Sequence, residues 1–306
     1  VDWRIELAEK KGVPLTAERL IPRGLIWVSL APMFYGAMSV SAKLIGTHLS
    51  VWHLGTSRFG LGLFVIPVVV KALGLELWGQ KRFLLTVRGL CGTASFLLVI
   101  AAFQMIPLSL AMIIFYLYPA FTALLSPWIA GEPTPKIAWL FICGSSIGIS
   151  LILWQHAASG PLNLGHLFAG IASILVALIL LLTRKLGKDN NVYTLFFYHC
   201  LVGTLASLVP LLMQELPILP GQTSAWIGVA AVAVFSLCAN LSLNQALTRI
   251  SAVKVSVMMT AEVPLVSCFG MLYLGEPLSW GFIVGALLIL GSSIGLNLLP
   301  TKSTLD

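Results

Sequence analysis

The sequence predicts an all-α membrane protein of ten transmembrane helices arranged as two inverted five-helix repeats. Three observations carry that prediction. The chain of 306 residues is 58% hydrophobic and only 9% charged, against about 25% charged residues in soluble proteins. Its apolar residues fall into successive runs of about 20, the length needed to cross a bilayer as a helix. A distinctive stretch also occurs twice. Ala111–Pro133 carries a proline in mid-run, Pro119, and closes on Gly131-Glu132-Pro133; Ser256–Pro277 carries Pro264 and closes on Gly275-Glu276-Pro277. The prolines are 145 residues apart and the closing glycines 144. That echo marks two structural halves.

The elements follow in order. Residues 1–23 form a mixed-charge segment in which Pro14 and Pro22 are expected to break helix, with no cleavable signal peptide visible. Helix 1 is read over Gly24–Ile45 and helix 2 over Ser50–Leu73. No charge occurs from Gly89 to Gly131, a stretch too long for one span, and Pro107 divides it into helices 3 and 4. Helix 5 is Ile137–Gln155, and a polar turn with Gly160-Pro161 ends the first half near residue 156. The second half spans 164–299. It comprises helix 6 (Leu164–Thr183), helix 7 (Val192–Met213), helix 8 (Thr223–Thr248), helix 9 (Ala252–Leu274) and helix 10 (Leu278–Pro300), followed by a tail over 300–306. Period-2 alternation is absent, which argues against a membrane β-barrel.

Charge placement gives the orientation. With the N-terminus in the cytoplasm, all of the 18 Lys and Arg except Lys43 and Arg58 fall in or beside cytoplasmic segments. Both termini are then cytoplasmic, and the expected location is a bacterial inner membrane. An odd number of spans per half inverts the second half relative to the first, the design of many secondary transporters with a site near the bilayer midplane. The net charge of +7 does not indicate nucleic acid, because the basic residues do not line one face.

The order and spacing of the two Pro…Gly-Glu blocks, with Tyr35-Gly36…Lys43, Arg58 and Arg88-Gly89, resemble the EamA-type family of the drug/metabolite transporter superfamily over residues 24–299. Members often have Trp where Tyr35 stands, and Glu directly before the helix 9 proline where Val263 intervenes here. The resemblance implies ten helices in two inverted repeats. It also implies a central cavity lined mainly by helices 1–4 and 6–9, and small metabolites such as amino acids as substrates.

Charges inside spans are the candidate site. Arg58 lies about 12 Å into helix 2, where a charge costs about 2.5–3.5 kcal/mol on insertion scales. It faces a wet cavity, or else snorkels or binds backbone carbonyls. Lys43 is nearer the outer end of helix 1. Glu262, two residues before Pro264, reads as a protonatable coupling group or a counter-charge to substrate, or as a salt-bridge partner of Arg58 or Lys43. Asn240 and Asn244 share a face of helix 8 and serve either substrate or interhelical bonding, as does Gln104 in helix 3. Of Tyr116 and Tyr118, Tyr116 is the expected cavity residue. Lys43, Arg58 and Glu262 sum to +1, or +2 with Glu262 protonated, so the expected solute is anionic or carboxylate-bearing, with protons as the coupling ion.

Other features read as structural. Glu132 and Glu276 end helices 4 and 9, with Lys136 four residues after Glu132. Gly144-Ser-Ser-Ile-Gly148 recurs as Gly291-Ser-Ser-Ile-Gly295, small-residue packing surfaces through which helices 5 and 10 could form a homodimer. The five cysteines lie in apolar runs as core residues. His53 and His199 have no ligand-spaced partner, so no metal or other cofactor is expected. The leading function is a secondary transporter of a small polar metabolite, an amino acid or other organic acid, by alternating access. The alternatives are a membrane enzyme for lipid-linked substrates, for which the short loops supply almost no Asp or His, and a scaffold, which leaves Arg58 and Glu262 unexplained.

Overall fold

The structure is a computed structural model that describes residues 17–45, 50–154, 162–213, 223–274 and 279–299. These residues form helices without strands, and ten of the resulting spans are long and apolar enough to cross a membrane. Helix 1 is Ala17–Ile45, helix 2 Val51–Ala72 and helix 3 Arg82–Met105. Helix 4 is broken into 4a (Leu108–Phe115) and 4b (Tyr118–Ile129). Helix 5 is Lys136–Leu153, helix 6 Leu164–Leu186, helix 7 Val192–Met213 and helix 8 Thr223–Leu247. Helix 9 is broken into 9a (Ala252–Met259) and 9b (Glu262–Leu274), and helix 10 is Trp280–Leu298.

Helix 1 differs from expectation. It starts at Ala17 and runs through Pro22, which therefore costs one backbone hydrogen bond without ending the helix. At 29 residues it is roughly 43 Å long, more than the hydrocarbon layer requires.

The breaks in helices 4 and 9 have one cause, expressed twice. A proline ring clashes with the carbonyl four residues earlier and supplies no N–H. Pro119 and Pro264 therefore sit in the first turn of a new helical segment, and the chain loosens just before it, at Tyr116-Leu117 and at Thr260-Ala261. Helix 4b stops at Gly131, whose φ of 71° lies in the left-handed region that glycine enters without strain. Gly275-Glu276-Pro277 lies outside the described residues.

Helix ends with the loops 73–81, 130–135, 187–191 and 248–251 gather at one end of the bundle, called here the basic end because it carries Lys71, Lys81, Arg82, Lys136, Arg184, Lys185, Lys188 and Arg249. Backbone and side-chain bonds join these loops, among them Gln80 N–H to Asn190 Oδ1 at 2.6 Å and Lys81 Nζ to Asp189 Oδ2 at 2.5 Å. The main apolar core joins helices 1, 4, 5, 6, 8, 9 and 10 around Val28, Tyr116, Leu181, Leu247 and Val255.

Helices 5 and 10 pack against each other inside the chain. A Cβ on Gly148 would lie 2.6 Å from the Gly285 carbonyl oxygen, and one on Gly285 2.5 Å from that of Gly148. Gly144 meets Ser292, and Gly295 meets Phe141. Except for Gly291, which has open space beside it, these glycines make their close approach within one chain. Leu140, Ile147, Leu287 and Ile294 are exposed on the same two helices, as a bilayer permits.

Candidate functional site

The two helix breaks bring Tyr116 and Glu262 together in mid-bundle. Glu262 is the first residue of helix 9b, where the unpaired N–H groups of a helix start favour a carboxylate. Its Oε1 accepts a hydrogen bond from Ser39 Oγ of helix 1 at 2.9 Å. The buried Tyr116 hydroxyl is directed at the same carboxylate. Three helices thus meet at one acid, two from the first half and one from the second.

Arg58 of helix 2 packs against Tyr35, one turn from Ser39 on helix 1. Its guanidinium carbon is 5.2 Å from the ring centroid of Phe96, 5.5 Å from Phe59 and 5.8 Å from Tyr35, a cage in which the negative ring faces hold a cation. Among the described residues Arg58 and Glu262 form no ion pair, so the alternative of a salt bridge from Glu262 to Arg58 is not realised in this structure. Arg58 Nε is buried without a hydrogen-bond partner. A half-buried cation surrounded by rings, with donor capacity left over, suits a bidentate acceptor such as a carboxylate.

A groove of about 380 Å³ opens between helices 1, 8 and 9, lined by Met33, Gly36, Val40, Phe235, Leu265 and Phe269, and neither Ser39 nor Glu262 is on its wall. The one hydroxyl on its wall, Ser41, donates to the Ala37 carbonyl at 2.7 Å, so the groove is apolar in effect.

The other expected site residues fall elsewhere. Asn244 is fully buried and accepts from Arg88 Nη2 at 2.8 Å. Asn240 is buried, and its Nδ2 donates to the Ser236 carbonyl of its own helix at 2.9 Å. Of the two readings, substrate or bonding within the protein, these contacts follow the second, Asn244 between helices and Asn240 within its own. The physical reason is Arg88: at 1% exposure it lies within the bundle, although its sequence position reads as part of a basic loop, and it needs acceptors there. The side chains of Lys43 and Gln104 lie outside the described residues.

Sequence reasoning also passed over Ser39 as a site residue and took Tyr35 only as a mark of resemblance. A signal existed, because Tyr35, Ser39 and Lys43 recur at intervals of four, a polar stripe on an otherwise apolar helix. Phe59 and Phe96 carried no such signal, since aromatic residues in a span read as core. Among the described residues no group of His, Cys, Asp and Glu is arranged to hold a metal.

The comparisons with known proteins agree with this architecture. The model of the EamA-like transporter family matches residues 22–154 and again 163–298. The chain belongs to the EamA-like transporter family. Its similarity extends to the pseudopaline exporter CntI of Pseudomonas aeruginosa strain UCBPP-PA14, 25% identical over 286 residues, which cover 91% of this chain and 97% of that one. It is 27% identical over 247 residues to human solute carrier family 35 member G1, covering 76% of this chain and 67% of the relative. A solved crystal structure superposes with a TM-score of 0.79 at 16% identity, over 89% of this chain and 95% of the other, and shows the same fold. As a member of this family the chain is an integral membrane transporter and not an enzyme.

Proposed function

We propose that this EamA-like transporter moves a small carboxylate-bearing metabolite, an amino acid or another organic acid, by alternating access, with the basic end in the cytoplasm. The observation that carries this reading is Arg58, a caged guanidinium with an unpartnered buried Nε and no carboxylate paired to it. Leaving such a group unsatisfied inside a membrane protein is costly, and a substrate carboxylate satisfies it.

Glu262 is proposed as the coupling group. It stands at a helix break between the two halves, held by Ser39 and faced by Tyr116, where a shift of one half against the other changes its surroundings. Lys43, two turns from Tyr35 on the same stripe, is proposed as a further member of the site by its position on helix 1. The inner membrane is the proposed location, following the distribution of basic residues.

The test is uptake and counterflow in proteoliposomes across a panel of amino acids, organic acids, amines and neutral sugars, alongside ligand-induced thermal shifts of the purified protein. Carboxylates should be the class that both shifts the unfolding temperature and is transported. A preferred solute that is cationic or uncharged overturns the proposal.

A further inference from the structure

Arg88 has all three guanidinium nitrogens hydrogen-bonded, and these partners lie in the other half. Its Nε donates to Thr183 Oγ1 of helix 6 at 2.5 Å, Nη1 to the Leu195 carbonyl of helix 7 at 2.8 Å, and Nη2 to Asn244 Oδ1 of helix 8 at 2.8 Å. Asn244 Nδ2 in turn points to the Val192 carbonyl at 3.4 Å. One side chain of the first repeat therefore fixes three helices of the second.

Neighbouring bonds repeat the pattern. Tyr198 hydroxyl donates to the Trp78 carbonyl, Thr194 Oγ1 to the Glu76 carbonyl, and Arg184 Nε to Glu132 Oε1. All cross from one half to the other, and all lie at the basic end. Farther from the basic end, among the described residues, the halves are joined by Ser95 Oγ to the Ala172 carbonyl and Ser39 Oγ to Glu262 Oε1, both at 2.9 Å, and by the exposed bond from Asn163 Nδ2 to the Met105 carbonyl at 3.2 Å. The repeat echo places Val232 and Ala233 where the second half would carry a counterpart of Arg88, and both are buried and apolar. Among the described residues the second repeat thus carries no counterpart of Arg88 at the echoed position.

We propose that Arg88 is a positioning residue that latches the basic end shut, so that opening this end requires the guanidinium to exchange Thr183, Leu195 and Asn244 for water. Two features separate a latch from a permanent strut or a ligand site. All three acceptors are neutral, and a hydrogen bond to a neutral group is replaced by one to water at small net difference, so the set can open. All three guanidinium nitrogens are engaged by protein, which leaves Arg58, whose Nε has no hydrogen-bond partner, as the group for substrate. The proposal rests on the alternating-access reading given above.

Amide hydrogen exchange of the full chain in lipid nanodiscs tests it without any solute, so failure of the latch and failure of the transport reading are distinguishable. Arg88→Ala should speed exchange about tenfold or more over residues 76–90, 183–195 and 241–250, while the far-end turns of helices 2 and 7, residues 52–58 and 204–213, stay unchanged or slow. Asn244→Asp, which turns the neutral acceptor into a carboxylate facing Arg88, should do the reverse and slow exchange at the basic end. A structural role alone predicts faster exchange everywhere in both variants. Uniform acceleration or no change in Arg88→Ala overturns the proposal, as does acceleration at the basic end in Asn244→Asp. Should Arg88→Ala not fold, Asn244→Asp and Thr183→Val, expected to slow and to speed the basic end respectively, decide it by the same criterion.

Discussion

Glu132 is paired with Arg184, 2.7 Å from carboxylate oxygen to guanidine Nε, and not with Lys136 four residues along its own chain. The pair joins the end of helix 4 to the end of helix 6, hence one half to the other. Arg184 also donates to the Leu247 carbonyl at the end of helix 8, at 3.0 Å, so a single guanidinium gathers three helix ends. Both partners are about one-fifth exposed, intermediate between a surface pair worth little and a buried one.

Breaking this pair should lower stability without touching the site. Glu132→Gln is expected to destabilise by about 1–2 kcal/mol, read as a lower unfolding temperature in detergent. The exchanged pair, Glu132→Arg with Arg184→Glu, should recover part of the loss. A double-mutant cycle with no coupling energy would show the contact to be incidental.

The contact between helices 5 and 10 makes a sharper prediction. Gly148→Leu drives a side chain into the Gly285 carbonyl and Ile289, and overpacking of this kind costs about 1–3 kcal/mol. Gly291→Leu, with open space beside it, should be close to neutral. Equal effects at the two positions, measured by thermal unfolding, would contradict the packing described.

Arg58→Ala removes the guanidinium proposed to meet substrate and should weaken binding of a carboxylate solute about 10- to 100-fold at every pH, in line with loss of a charge-assisted bond of about 1.5–3 kcal/mol. Arg58→Lys keeps the charge but loses the planar fork and should fall between the two. Calorimetry on the purified variants measures both. Unchanged affinity in Arg58→Ala would remove Arg58 from the site.

Glu262→Gln should leave a folded protein, because an amide oxygen accepts the Ser39 hydroxyl as a carboxylate does. If substrate binding takes up a proton at Glu262, wild-type affinity increases as pH falls through the titration of that group, and the Gln variant is flat. Transport by Glu262→Gln with wild-type pH dependence would make the residue structural.

Orientation is checked by cysteine labelling with an impermeant reagent. A cysteine at position 302 and one in the turn 157–163 should react from opposite sides of the membrane, position 302 from the cytoplasm.

The amino-acid sequence alone was enough for the spans, their number and the twofold repeat. Those features depend on local quantities: runs of apolar residues long enough for the bilayer, and the paired mid-run prolines Pro119 and Pro264, each of which denies its helix a donor. The two breaks were legible for the same reason, as was the cost of placing Arg58 and Glu262 within spans. What the sequence could not decide was which polar group meets which. Arg88 looks like one more loop cation until helices 6, 7 and 8 close around it, and Asn244 looks like a cavity residue until Arg88 is seen to occupy its oxygen. Glu132 has a favourable neighbour in Lys136 by spacing, yet Arg184, 52 residues away, takes it. Hydrogen bonds and ion pairs are satisfied by whatever the packed helices bring within about 3 Å, and that proximity is a property of the folded bundle, absent from the order of residues along the chain.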